Sequence, residues 1–252
     1  MNSPRSPYRG YRFPPEIISY CVWLYFRFSV SYRDIEELMA ERGVAVTYET
    51  IRAWCYKFGL DYAKRIRARR GQLGDTWHLD EVYLKIGGRL QYLWRAVDQD
   101  GSVLDILVQP HRDKEAAARF FKKLLRGLRY APRVVVTDRL ASYTAPCAEL
   151  LPNTVHRRDK GLNNRAENSH QSTRKRERRM RGFKSAGHAQ RFLSIFGLVA
   201  DLFGVGRHLL SAPNYRAALS RSLLNGEASP VYPPPRDPRK RAGIQFGPAP
   251  PT

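Results

Sequence analysis

The chain has 252 residues, with 44 Lys+Arg against 23 Asp+Glu and a formal net charge of +21. Its hydrophobic share of 42% excludes a wholly disordered protein, and its three cysteines, which form no CxxC pair, argue against a disulfide framework or a structural zinc site. Its apolar runs are shorter than the roughly 20 residues that a membrane span needs, and its N-terminus has no secretory signal, so we expect no membrane partner.

The positive charge is concentrated in two runs. Residues 64–70 carry five basic side chains in seven, and residues 174–184 carry seven basic residues against the single Glu177. Clustered charge of this kind predicts a polyanionic partner, above all nucleic acid, and the cysteine usage fits a reducing cytoplasm. A basic surface that serves only solubility is the alternative interpretation.

The N-terminal part of the chain is predicted to be helical. After a flexible segment over residues 1–13, apolar residues recur at helical spacing from Ile17 to Phe28. Ser31 is a good N-cap for a second helix that stops at Gly43, and Thr47 caps a third helix over about Tyr48–Phe58. Two short capped helices joined by a turn match the helix-turn-helix pattern, although an ordinary helical hairpin would look similar.

From Asp75 the pattern changes to strands. Two strands, Trp77–Ile86 and Arg89–Val97, meet across Gly87-Gly88, a dipeptide suited to a two-residue hairpin turn. The next elements in chain order are a strand at 102–109, a helix from Asp113, a short strand at 133–137, a helix at 142–151, a possible strand at 154–157, and helices at 163–180 and 189–205. This order predicts a mixed sheet flanked by helices.

Three acidic residues require an explanation. Asp80 shares its strand parity with Val82 and Leu84, and Asp138 ends the buried-looking strand RVVVTD. Glu167 lies on a polar helix face together with His170. Carboxylates on apolar faces are costly unless they are paired or bind a metal, so the three residues together predict a site for Mg²⁺, with Mn²⁺ as a possible substitute. Each could instead be structural: Asp138 as a turn cap, and Asp80 and Glu167 as members of ion pairs.

At these residues the chain resembles bacterial insertion-sequence transposases of the Asp-Asp-Glu class, in their compact cointegrate-forming group. The resemblance covers about residues 9–210 and is carried by the segments WHLDEVYLKIGG, VVVTDRLASY and NNRAENSHQSTRKRER, among others. It implies an α/β fold, in which an RNase H-like mixed five-stranded sheet flanked by helices follows an N-terminal helix-turn-helix. It also implies that Asp80, Asp138 and Glu167 occupy the three catalytic and metal-binding positions.

These observations predict a domain order along the chain. A flexible N-terminus at 1–13 precedes a helix-turn-helix DNA-binding region at 14–62, a basic linker at 63–74, a catalytic core at 75–210 and a Pro-rich, disordered tail at 211–252. The tail is expected because 8 of the 17 prolines lie between Pro230 and Pro251.

The predicted activity is metal-dependent phosphodiester hydrolysis and strand transfer at the ends of an insertion sequence. The partners would be the terminal inverted repeats, target DNA and further copies of the chain, in a homodimer or larger assembly. A non-catalytic helix-turn-helix regulator and an RNase H-like nuclease without strand transfer remain the alternatives. The expected DNA contacts come from three groups of mainly basic residues: Tyr48, Arg52 and Lys57; Arg67, Arg69 and Arg70; and Arg174, Lys175, Arg176, Arg178 and Arg179.

Overall fold

The computed structural model describes residues 7–70, 73–159 and 161–203, together with four isolated positions between 211 and 217. Residues 1–6 and nearly all of the predicted Pro-rich tail lie outside this part of the chain. The described helices are α1 (Pro15–Arg27), α2 (Tyr32–Ala40), α3 (Tyr48–Arg69), α4 (Lys114–Leu128), α5 (Thr144–Leu150), α6 (Asn164–Arg179) and α7 (Ala186–Phe203). The strands are β1 (Thr76–Ile86), β2 (Arg89–Asp98), β3 (Val103–Gln109), β4 (Val134–Thr137) and β5 (Val155–Arg158).

The cap residues predicted for α2 and α3 are both in place. The Ser31 hydroxyl accepts the Asp34 backbone N–H at 3.1 Å, and the Asp34 carboxylate accepts the Ser31 N–H at 2.8 Å, which completes a capping box. Thr47 accepts the backbone N–H of Thr50 at 3.4 Å at the start of α3. Local hydrogen bonds therefore fix where these helices begin.

Helix α3 is longer than the sequence pattern predicted. It continues past Phe58 to Arg69, so most of the basic segment assigned to a linker at 63–74 is helical. The cause is that Tyr62, Ala63 and Ile66, all buried, extend the apolar stripe of the helix and keep it packed. Helix α3 also packs against α7, which ties the N-terminal helices to the C-terminal part of the fold.

The segment before α1 was predicted to be flexible, but its described part, residues 7–13, is packed. The Tyr8 ring is buried with its centroid 4.8 Å from that of Phe58, and Phe13 lies edge-on to Trp54 at 5.2 Å. Aromatic side chains gain enough from burial to hold such a segment without regular secondary structure.

The five strands form one mixed sheet in the order β3-β2-β1-β4-β5. Strand β2 is antiparallel to both β1 and β3, whereas β4 pairs parallel with both β1 and β5. Gly87 and Gly88 connect β1 to β2 with φ angles of 57° and 79°, a left-handed pair that glycine adopts without strain. The predicted fold class, a mixed five-stranded sheet flanked by helices, is confirmed.

Helices cover both faces of this sheet. On one face, Leu84, Leu93 and Ile106 share a core with the N-terminal helices and α7. On the other face, Trp77 and Trp94 pack with α4 and α5. The N-terminal helices therefore belong to the same hydrophobic core as the sheet, and β1 is buried on both sides along Trp77–Glu81.

Candidate active site

Two of the three predicted acidic residues come from neighbouring parallel strands. In the register of β1 and β4, His78 pairs with Val136 and Leu79 with Thr137, so Asp80 and Asp138 are next in line on the same face. Asp138 follows the last residue of β4, and its Oδ1 accepts the backbone N–H of Leu140 at 2.9 Å. The turn-capping role considered for Asp138 is therefore present, and it uses only one of the two carboxylate oxygens.

The surroundings of Asp80 make its charge unfavourable. Asp80 is 8% exposed, and burial raises the pKa of its carboxyl to about 6, with the nearby negative charge of Asp138 adding to the shift. Two nearby carboxylates, one of them desolvated, repel each other, and a cation between them would relieve that repulsion.

Helix α6 lies against these strands at its N-terminal end. The Asn163 side chain, just before the helix, donates from Nδ2 to the backbone oxygen of Leu79 at 2.8 Å. Further along α6, Nε2 of the buried His170 lies 3.4 Å from Oδ2 of Asp80. Burial, together with the charges of Arg95 and Arg174, holds the pKa of His170 well below its usual range, so the imidazole is neutral.

Glu167 lies one helical turn before His170 and is exposed. The structure thus brings the helix that carries Glu167 to Asp80, but it does not bring the Glu167 carboxylate into contact with the other two. Among the described residues, no three His, Cys, Asp or Glu side chains converge closely enough to hold a metal ion. The site therefore has two nearby carboxylates on the sheet, and the third candidate, Glu167, is exposed on α6 one helical turn before the residue that approaches Asp80.

A second buried carboxylate lies next to the site on β1. Glu81, 8% exposed, points to the opposite face of β1 and accepts hydrogen bonds from Arg112 Nε at 2.6 Å and from the Tyr143 hydroxyl. Arg112 also reaches towards Asp138, with Nη2 3.9 Å from Oδ2. Strand parity missed this cluster because it treated only one face of β1 as buried.

Residues on α3 that were expected to contact DNA are partly accessible. Arg52 and Lys57 are exposed, whereas Tyr48 is half-buried with the Arg33 guanidinium 4.3 Å from its ring centroid. Lys57 lies 4.9 Å from the ring of Tyr11, beside a cavity of about 330 Å³ lined also by Thr50, Ala53 and Trp54.

Three basic side chains at the C-terminal end of α3 were expected to contact DNA, and two of them make contacts within the protein. Arg69 is exposed, but Arg70 donates to the backbone oxygen of Val103 at 3.0 Å, and Arg67 lies 3.8 Å from Asp105. Arg67 and Arg70 therefore connect α3 to β3, so fewer of their N–H donors are available to DNA phosphates.

On α6 the expected DNA contacts divide in the same way. Lys175 and Arg178 are exposed, and Arg179 is exposed while donating to the backbone oxygen of Ser29 at 3.3 Å. Arg174 pairs with Glu177 at 3.2 Å.

The prediction for Arg176 is wrong. This side chain is 1% exposed and donates to the backbone oxygens of Tyr25 at 2.8 Å and Val30 at 3.2 Å. A run of basic residues in a sequence does not show which of their side chains is buried.

Comparison with known proteins agrees with the resemblance seen in the sequence. A family model described as a DDE domain, DDE_Tnp_IS240, matches residues 74–204. The transposase for insertion sequence-like element IS431mec of Staphylococcus aureus is 32% identical over 184 residues, which cover 71% of this chain and 82% of the relative. The transposase for insertion sequence element IS257 in transposon Tn4003, also from S. aureus, is 31% identical over the same length and with the same coverage.

The chain belongs to the bacterial insertion-sequence transposases with a DDE domain. Its function is accordingly that of a DNA transposase, a polynucleotidyl transferase. Among solved structures, the catalytic core domain of HTLV-2 integrase in complex with magnesium is a remote match, with 16% identity, a TM-score of 0.37, and coverage of 57% of this chain and 94% of that one. In the part of this transposase that the structure describes, no helix is both long and apolar enough to cross a membrane.

Proposed function

We propose that this transposase cleaves and joins DNA at the ends of its own element in a Mg²⁺-dependent reaction, with Asp80, Asp138 and Glu167 as the metal-binding residues. The observation that supports this most directly is the register of β1 and β4, in which Leu79 pairs with Thr137, so that Asp80 and Asp138 are the next residues along the two strands. Glu167 would join them from α6, whose His170 already lies 3.4 Å from Asp80.

The donor set fits a hard divalent cation. All three candidate ligands are carboxylates, the oxygen donors that Mg²⁺ prefers, and the pKa of Asp80 is raised to about 6 partly because Asp138 is close by. When bound, such ions would activate an attacking oxygen and stabilise the leaving oxygen of a phosphodiester. Mn²⁺ offers the same preference for oxygen ligands and should be able to substitute.

Around that centre the chain's own residues would bind and orient the DNA. The exposed Arg52, Lys57 and Arg69 on α3, and Lys175 and Arg178 on α6, present positive charge to phosphates. We propose that the helices in residues 14–62 recognise the terminal inverted repeats while residues 75–210 perform catalysis. Since two DNA ends must be joined to one target, a homodimer or larger synaptic assembly working on cytoplasmic, nucleoid-associated DNA is expected.

The test is a strand-transfer assay with end-containing DNA. The wild-type chain should join DNA ends in Mg²⁺, should do so more weakly or not at all after chelation, and should lose joining in Asp80→Asn, Asp138→Asn and Glu167→Gln. Removing a group that acts in the transition state typically costs about 10²- to 10³-fold. Asp100→Asn is the matched control, since Asp100 is an exposed turn residue and its variant should keep full activity.

Metal binding can be measured without activity. Mg²⁺ should raise the unfolding temperature of the wild-type chain and of Asp100→Asn, but not that of Asp80→Asn. Cutting without joining would support the nuclease alternative. DNA binding that needs no metal and leads to neither step would support the regulator.

A further inference from the structure

Helix α6 packs against the sheet without an apolar stripe. Its inward-facing positions, at helical spacing, are Ala166, His170, Thr173 and Arg176, all of them buried, and Ala166 is its single hydrophobic residue. Such a face buries little hydrocarbon, so non-directional burial contributes little to where the helix sits. The position of Glu167 must therefore depend on the polar contacts that α6 makes.

The main polar contact from the sheet comes from Arg95 on β2. This residue pairs across the ladder with Asp80 and is 1% exposed. Its Nη1 donates to the backbone oxygen of Ser169, and its Nη2 donates to the hydroxyl of Thr173. One guanidinium thus connects the strand next to Asp80 with two successive turns of α6.

A buried arginine in this situation is unusual. In the part of the chain that the structure describes, Arg95 forms no ion pair with a carboxylate, and its Nε has no hydrogen-bond partner. Asp201 on α7 favours the charged form of Arg95 from beyond ion-pair distance. Burying a charge with no carboxylate in contact is costly, so a purely structural role could be filled better by an apolar residue of similar volume. The fork of two donors aimed at α6 is what an apolar residue would not supply.

We propose that Arg95 is a positioning residue for catalysis. By holding the α6 backbone at Ser169, two residues after Glu167, it sets the distance between the Glu167 carboxylate and the Asp80–Asp138 pair. This inference rests on the proposed function, because it assumes that Glu167 acts together with those two residues. It assigns Arg95 no contact with DNA or metal.

Arg95→Lys in the full chain tests the proposal, because lysine keeps the charge but cannot hold both acceptors in one rigid fork. Hydrogen–deuterium exchange of residues 164–173 should become about 10-fold faster than in the wild type, while that of α4 is unchanged. In the strand-transfer assay with Mg²⁺, kcat should fall about 10- to 100-fold, and KM for the DNA should change less than about 3-fold, as expected for a misplaced catalytic group.

Two further variants keep the result interpretable. Arg89→Lys, an exposed position at the start of the same strand, should match the wild type in exchange and in kcat. Thr173→Val removes one of the two acceptors with little change in shape, so it should move both readouts in the same direction but less, and it replaces Arg95→Lys if that variant does not fold.

The outcomes separate this proposal from the function on which it rests. A wild-type chain that joins no DNA in Mg²⁺ would overturn the proposed function. If the wild type is active, an unchanged α6 exchange rate and kcat in both variants would overturn the role of Arg95. So would exchange that increases equally throughout the chain, since that would indicate a contribution to global stability only.

Discussion

Helices α4 and α6 lie on opposite faces of the same sheet and are held there by different forces. Helix α4 buries Ala116, Ala117, Phe120, Phe121 and Leu124 against the sheet. Helix α6 buries alanine as its single hydrophobic residue, and the hydrogen bonds of arginine side chains hold it at its middle, through Arg95, and near its C-terminal end, through Arg176. Burial is spread over many contacts and tolerates small changes, whereas a few directional bonds make the position of a helix depend on single residues.

The largest loss of stability is expected on the α4 side. Phe120→Ala should lower the free energy of unfolding by about 3–5 kcal/mol, because the ring is fully buried and its removal leaves a cavity. Urea denaturation measures this, with Lys122→Ala on the exposed side of the same helix as a control that should stay within about 0.5 kcal/mol. A loss below about 1 kcal/mol for Phe120→Ala would mean that α4 is not held by burial.

A smaller loss is expected where α6 meets α1. The Arg176 guanidinium caps the C-terminal turn of α1 through the oxygen of Tyr25 and lies 4.9 Å from the Tyr25 ring centroid. Arg176→Met should cost about 2–3 kcal/mol, because two backbone oxygens lose a charged donor and methionine restores only part of the packing.

The neighbouring Lys175→Met, at an exposed position, is the matched control for urea denaturation and should be nearly neutral. If the two variants had equal free energies of unfolding, the hydrogen bonds at the C-terminal end of α6 would not stabilise the protein. The proposed difference between α4 and α6 would then not hold for that end of α6.

The elements that the sequence could predict also differ between the α4 side and the α6 side of the sheet. Helix α4, the capped helices and the glycine hairpin were predictable because local pattern and tertiary packing agree there. Strand parity made Asp80 a candidate ligand, and its position at the end of a buried strand made Asp138 another. The sequence also predicted helix α6. The hydrophilic composition of that helix could not show that the Arg176 side chain is buried, or that Arg95 on a distant strand donates hydrogen bonds to α6. Those contacts depend on which elements meet, which the spacing of residues along the chain does not encode.

The two neighbouring carboxylates of β1 extend the comparison to the site. Glu81, on the α4 side, accepts hydrogen bonds from Arg112 and Tyr143, whereas Asp80, on the α6 side, accepts no side-chain hydrogen bond among the described residues, although His170 Nε2 lies 3.4 Å from it. Without metal, Asp80→Asn should therefore raise the free energy of unfolding at pH 7.5 by about 1–2 kcal/mol, although it abolishes strand transfer.

The pH dependence of the free energy of unfolding tests the direction of this effect. Since the folded-state pKa of Asp80 is raised to about 6 from an unfolded value of about 3.9, its protonated form favours the folded state. That contribution is complete below about pH 4 and is lost as pH rises towards 6, so the advantage of Asp80→Asn should vanish below about pH 4. Glu81 titrates in both proteins and largely cancels in the difference. An advantage that grows in acid would contradict a raised pKa for Asp80.

The smallest effect on stability is expected on the outer face of α6, where it should appear in DNA binding instead. Lys175→Ala and Arg178→Ala should each stay within about 0.5 kcal/mol of wild-type stability, because both side chains are exposed.

If they contact phosphates, each should weaken binding to specific and unrelated DNA alike and reduce the slope of log K against log[salt] by about 1. Arg176→Met, one position from Lys175, should leave that slope unchanged, since its guanidinium is enclosed by protein. Fluorescence anisotropy with labelled duplexes between about 50 and 200 mM salt measures the slope. Equal slopes for all three variants and the wild type would place the DNA away from α6 and leave its exposed charge as a solvated surface.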